Sequence, residues 1–206
     1  MRSIPLIKRL VDAGLFVSLT AVFLYPWTGE TGHYVWGFGW LAVLLLHNGL
    51  NYAWYGALPK GTYSPRRLFS SVLVFALWTA ALGVFVSGVK LAWGNGTLAA
   101  RQWHVSCAYW LLLLSGVHLG LHGKGLTAKL NRCVSAVIWS CRAASWTGCL
   151  CGIYAFIRMD VFGKLIFRRS FGGALDGCFV TAAALSALFW LSASAAYYLM
   201  RTGEKK

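Results

Sequence analysis

Four of the five histidines in this 206-residue chain form two pairs of identical spacing. His33 and His47 are fourteen residues apart, and so are His104 and His118. On an α-helix fourteen residues rise about 21 Å through nearly four turns, which returns both side chains to almost the same face. Each pair lies in, or at the end of, a strongly apolar run. Two such helices side by side would hold two pairs of imidazoles at two depths of a membrane.

The membrane setting follows from composition. The chain is 58% hydrophobic with a mean hydropathy of +0.62, and only 12% of its residues are charged. A soluble domain carries about 25%. Eleven Trp and nine Tyr suit the two membrane–water interfaces, where amphipathic rings anchor. The expectation is a single transmembrane domain over residues 1–206 in contact with the lipid bilayer. The net charge of +14 does not indicate nucleic acid. The basic residues sit in short segments between apolar runs, and no basic face is interleaved with aromatics. The six cysteines, Cys107, Cys133, Cys141, Cys149, Cys151 and Cys178, form no C-x-x-C-H motif, and read as small buried apolar residues. The N-terminal stretch resembles a signal peptide but shows no small-residue cleavage site, so it reads as an uncleaved first helix.

Six apolar runs are candidates for spans: residues 10–27, 33–58, 68–93, 103–121, 133–157 and 175–200. Pro26-Trp27-Thr28-Gly29 is expected to end the first. Arg142 interrupts the fifth. Residues 158–169, mixed basic and apolar, are expected on a membrane surface. The fold class is therefore all-α, a polytopic membrane protein of about six transmembrane helices. A four-helix bundle carrying the histidine pairs would occupy about 10–122, and two further helices about 133–200. Loop cations orient the chain. Arg2, Lys8 and Arg9, then Lys60, Arg66 and Arg67, then Lys124, Lys129 and Arg132, and finally Arg201, Lys205 and Lys206 fall on one side. That side is read as cytoplasmic, with both termini on it. Arg158, Lys164, Arg168 and Arg169 break the pattern in the fifth-to-sixth loop. On this topology helices two and four run the same way. His33 and His104 lie near the outer face, and His47 and His118 lie deeper.

Ionisable groups inside a bilayer are costly and usually functional. Neutral imidazole is a good iron ligand, and two imidazoles fill both axial positions of a haem. The four histidines thus point to two b-type haems, with His33 and His104 on one iron and His47 and His118 on the other. Zinc prefers four ligands, and no Asp, Glu or Cys completes either pair within the same turns. Residues between the ligands are expected to line the haems: Gly37, Trp40 and Leu44 on helix two, and Cys107 or Ala108, Leu111 and Ser115 on helix four. Glycine at 37 would let a flat macrocycle approach the backbone, or would serve close helix packing. His122, one turn beyond His118, is a second candidate inner ligand, a propionate contact or part of a quinone site. Arg66, Arg67 and Lys60 could serve the propionates of an inner haem, Arg101 and Lys90 those of an outer one; all five also set topology. No catalytic triad, paired carboxylates, P-loop or dinucleotide fingerprint is present.

The segments Leu46-His47-Asn48-Gly49-Leu50-Asn51 and Leu114-Ser115-Gly116-Val117-His118-Leu119-Gly120-Leu121-His122, with Gly152-Ile153-Tyr154-Ala155-Phe156, resemble a bacterial group of membrane di-haem b-type cytochromes, the flavinylation-associated cytochrome family. The resemblance covers roughly residues 10–200. It implies electron transfer across the bacterial plasma membrane to partner proteins that carry covalently bound flavin at the outer face. It also implies His33 and His104 as outer ligands and His47 and His118 as inner ones. The cysteine-rich fifth helix and the basic fifth-to-sixth loop depart from that pattern. Three functions stay open on the sequence. The first is an electron-transfer cytochrome between a quinol or cytoplasmic donor and an outer acceptor. The second is a quinone-linked oxidoreductase, such as a quinone reductase or superoxide-oxidising cytochrome. The third is a histidine-lined metal transporter.

Overall fold

The computed structural model describes residues 3–94, 96–123, 135–168 and 175–203. Among these, every regular element is helical: α1 (Ser3–Phe23), α2 (Tyr25–Leu50), α3 (Tyr52–Ala57), α4 (Pro65–Trp93), α5 (Leu98–Leu121), α6 (Ser135–Arg158), α7 (Val161–Leu165) and α8 (Cys178–Gly203). The cations Lys124, Lys129, Arg132, Arg169, Lys205 and Lys206, and Cys133, lie outside the described residues. The chain forms two compact units, residues 1–63 with 174–183, and residues 64–173 with 184–206.

Three helices are long and apolar enough to cross a membrane: Pro65–Trp93, Leu98–Leu121 and Cys178–Met200. The helices of the other three runs carry polar or charged residues that set them apart. α1 carries Lys8, Arg9 and Asp12, α2 carries Glu30 and two histidines, and α6 carries Arg142 among serines and threonines. Large apolar side chains such as Val35, Phe38, Val72, Phe75 and Leu150 face outward. Lipid tails accept such a surface, because they are as apolar as the side chains themselves.

The first unit is built on an antiparallel hairpin of α1 and α2. Gly14 packs on Val43, and Lys8 Nζ donates to Asn51 Oδ1 at 3.0 Å to close the open end. Ser18 and Thr20 donate to the carbonyls of Gly14 and Phe16, which satisfies both hydroxyls inside their own helix. The expected boundary at Pro26 is corrected. Proline is well placed in the first turn of a helix, where its missing N–H costs nothing, and here it helps to start α2. The break falls instead at Leu24, followed by a kink at Gly29, whose φ of +66° suits glycine. The second run also begins and ends earlier than expected. α2 stops at Leu50, and Asn51 redirects the chain into the separate short helix α3, whose Tyr55 donates back to Asn48.

The second unit opens with another antiparallel hairpin, α4 and α5. Ser64 and Thr97 cap the two N-termini by accepting from Arg67 N–H and Ala100 N–H at 3.3 and 3.2 Å. α8 packs against both α5 and α6 through glycines. A Cβ at Gly116 or Gly120 would collide with the carbonyls of Phe189 and Ala193, and one at Gly152 with the carbonyl of Ala187. Leu112, Leu185 and Leu188 are fully buried there. Close backbone approach through small residues is how helices associate in lipid. We expect Gly120→Leu to destabilise the second unit by about 1–3 kcal/mol through overpacking. Thermal unfolding in detergent checks this; an unchanged midpoint would mean that α8 does not approach α5 so closely.

Within residues 158–168 the short helix α7 is anchored on one side, and Arg158, Phe162, Ile166 and Arg168 are exposed. Asp160, at φ +46°, turns the chain and caps α7 by accepting from Gly163 N–H at 3.3 Å. α7 then packs on α5. Ser106 Oγ donates to the Lys164 carbonyl, and Trp110 Nε1 donates to the Leu165 carbonyl at 3.2 Å. Lys164 is buried, its ammonium donating to the Met159 carbonyl and lying 4.9 Å from the centre of the Tyr109 ring. This packing accounts for Lys164 alone, since Arg158 and Arg168 stay exposed.

Candidate histidine sites

Each unit carries one histidine pair on the second helix of its hairpin. His33 and His47 are on α2, and His104 and His118 are on α5. In three of the four, the first helix of the same hairpin holds the ring by Nδ1. His33 Nδ1 lies 3.0 Å from the Val22 carbonyl oxygen. His104 Nδ1 lies 3.0 Å from the Val84 carbonyl oxygen and 3.2 Å from Ser87 Oγ. His47 Nδ1 lies 2.7 Å from Asp12 Oδ1.

A backbone carbonyl can only accept, and so can a carboxylate. Nδ1 must therefore carry the proton in each ring, and in the neutral tautomer the lone pair sits on Nε2. This is the arrangement found behind metal-bound histidines, in which an outer carbonyl or carboxylate fixes the tautomer, holds the ring and raises its basicity. The donor chemistry suits haem iron, which asks the protein for two such imidazoles.

Asp12 lies near the basic end of α1, beyond Lys8 and Arg9. The structure gives it His47 as a partner thirty-five residues away. The relation is readable once the turn is known. Asp12 and His47 are equidistant from the Gly29–Glu30 step, as are Lys8 and Asn51.

His118 is half-buried on α5 with its Nδ1 enclosed, whereas His122 is exposed and caps the helix. Their rings meet edge to face with centroids 5.0 Å apart. Helical placement and burial favour His118 over His122 as a ligand.

The residues expected to line the cofactors divide. A Cβ at Gly37 would meet nothing within 4 Å, so that glycine leaves open space beside α2 and makes no close helix contact. Trp40 is buried midway between His33 and His47. On α5, Cys107 is turned to α4, where its sulfur fills the space beside Gly83, and Leu111 is buried. Ala108, Ser115 and Leu44 are half-buried. Arg66 Nη2 donates to the Leu121 carbonyl at 2.8 Å, closing the C-terminus of α5 beside His122. Arg67 is half-buried one residue on, and Lys60, Lys90 and Arg101 are exposed, the last one turn before His104. Among the described residues no three His, Cys, Asp or Glu side chains gather as a metal-binding group. Comparison with known proteins gives no family, because no family model, curated protein or solved structure matches this chain.

Proposed function

We propose that the chain is a membrane di-haem b-type cytochrome that passes electrons across a bacterial plasma membrane. One iron takes His33 and His104, and the other takes His47 and His118. The observation that carries this reading is the common state of the rings in both hairpins. His33, His47 and His104 each donate from Nδ1 to an oxygen that can only accept, which leaves the lone pair on Nε2. Three unrelated core histidines would have no reason to share this orientation on helices with a fourteen-residue repeat.

Haem supplies one-electron chemistry at iron, and the chain does the rest. The hairpin partners Val22, Val84, Ser87 and Asp12 hold the rings. Fourteen residues of helix separate the two ligands of each helix by about 21 Å. The open space beside Gly37 admits a flat group close to the backbone. Arg66 and Arg67, near the His118 end of their own unit, are placed to meet anionic propionates. Two imidazoles on each iron would leave oxygen no place to bind, which would favour electron transfer over oxygen activation. The donor is a quinol or a cytoplasmic reductant. The acceptor is a redox protein at the outer face, flavinylated if the likeness to the flavinylation-associated cytochromes extends to function. Both termini are assigned to the cytoplasm.

A visible spectrum and a pyridine haemochrome assay on the purified protein test the reading. Two haem b per chain are expected, with a Soret band of the six-coordinate type. Bound zinc or copper with no Soret band would replace the cytochrome by the metal-transporter reading.

A further inference from the structure

We infer that a groove between α6 and α8 in the second unit holds the headgroup of an anionic phospholipid. The groove encloses about 480 Å³ and is lined by Trp139, Arg142, Ala143 and Trp146 of α6 and Tyr198 of α8. Its position follows from the packing of the glycines. Gly148 and Gly152 of α6 face Trp190 and Ala187, so α6 and α8 are antiparallel, and the early turns of α6 lie beside the late turns of α8. Gly116 and Gly120 of α5 face Phe189 and Ala193, and Gly123 faces Tyr197. The groove therefore lies at the end of this unit that holds His118 and His122. This inference does not depend on haem.

The charge of the groove selects the ligand. Arg142 interrupts an otherwise weakly polar helix, with Trp139 one turn before it and Trp146 one turn after. Its guanidinium carbon lies 5.4 Å from the Trp139 ring centre. Among the described residues no carboxylate pairs with it. The chain has five acidic residues against nineteen Lys and Arg. Asp12 binds His47, Glu30 accepts from Tyr34, and Asp160 caps α7. Among the described residues Arg142 thus has no carboxylate counter-ion, and the phosphate of a lipid headgroup would supply one. A guanidinium presents a planar fork that matches phosphate, and indole and phenol rings settle at headgroup level. Basic pockets between membrane helices bind anionic headgroups in this way. A choline headgroup is disfavoured, because Arg142 already covers the Trp139 face on which a quaternary ammonium would stack.

The test is native mass spectrometry of the full chain in neutral detergent with equimolar phosphatidylglycerol and phosphatidylcholine. We expect bound phosphatidylglycerol to exceed phosphatidylcholine by about five- to tenfold, and Arg142→Gln to bring the ratio close to one. Arg142 is exposed, so the variant should keep its helix content, checked by circular dichroism in the same detergent. If it does not fold, the wild-type ratio alone decides. Equal occupancy by the two lipids in the wild type, or an undiminished ratio in a folded Arg142→Gln protein, would overturn the assignment. So would displacement of phosphatidylglycerol by millimolar inorganic phosphate, which would make the site one for free phosphate.

Discussion

Alanine at His47 or at His118 should halve the haem content, from two per chain to one, while the chain stays helical. Each substitution removes one axial ligand of the same proposed iron and touches neither His33 nor His104. Neither site is a packing keystone: both rings are only half-buried on their helices. The pyridine haemochrome assay, normalised to protein, reads the result. His122→Ala is the companion measurement. That residue is exposed and caps α5, so its loss should leave both haems in place. If His122→Ala halves the content and His118→Ala does not, the ligand moves one turn along the chain. If every variant keeps two haems, the histidines are not the ligands. Loss of both haems with loss of helix would mean that the substitution unfolded the chain.

The second large effect is expected at Asp12. Outer partners of metal-bound histidines typically change affinity by about 10–100-fold when removed. Asp12→Ala should weaken retention of the His47 haem by that factor, measured by transfer to a competing apo-globin. It should also raise the midpoint potential of that haem, because a carboxylate behind the imidazole makes it a more basic ligand and favours the oxidised iron. Asp12→Asn keeps an oxygen that can accept from Nδ1–H but no charge, and should fall between wild type and alanine. If Asp12 only ties α1 to α2, both variants will lower the unfolding temperature and leave the potential of the remaining haem unmoved. A potentiometric titration separates the two cases.

The long apolar helices were legible in the sequence because their signals are local. Pro65 and Gly94 bound α4, Thr97 caps α5, and the uninterrupted apolar runs between them need no further information. The first two helices were harder. Pro26 carries the same weight as the last residue of a helix or as part of the first turn of the next, and only the chain direction after Leu24 decides. Leu50 to Ala57 reads as a continuation of α2 on hydropathy alone. The break at Asn51 depends on Asn48 and Asn51 turning their amides back onto the helix and on Tyr55. Lys164 was hidden for a different reason: it finds a carbonyl and an aromatic face inside the unit, partners that no local pattern reveals. Of the site itself, the pairs and their spacing were visible. The oxygens that hold the rings were not, since a backbone carbonyl such as Val22 or Val84 leaves no mark on a sequence.

The way these rings are held bears on how such a protein could be made. The oxygens that face Nδ1 of His33, His47 and His104 include, in each case, one on the preceding helix of the same hairpin. A helical hairpin is complete once its second arm has entered the bilayer, well before the C-terminal third of the chain is synthesised. On the proposed reading, the imidazoles would then be turned into position by their own neighbours before any cofactor is captured. An apo-chain of this kind would be a folded receptor awaiting its cofactor, and α6 to α8 could be added without retuning the ligands.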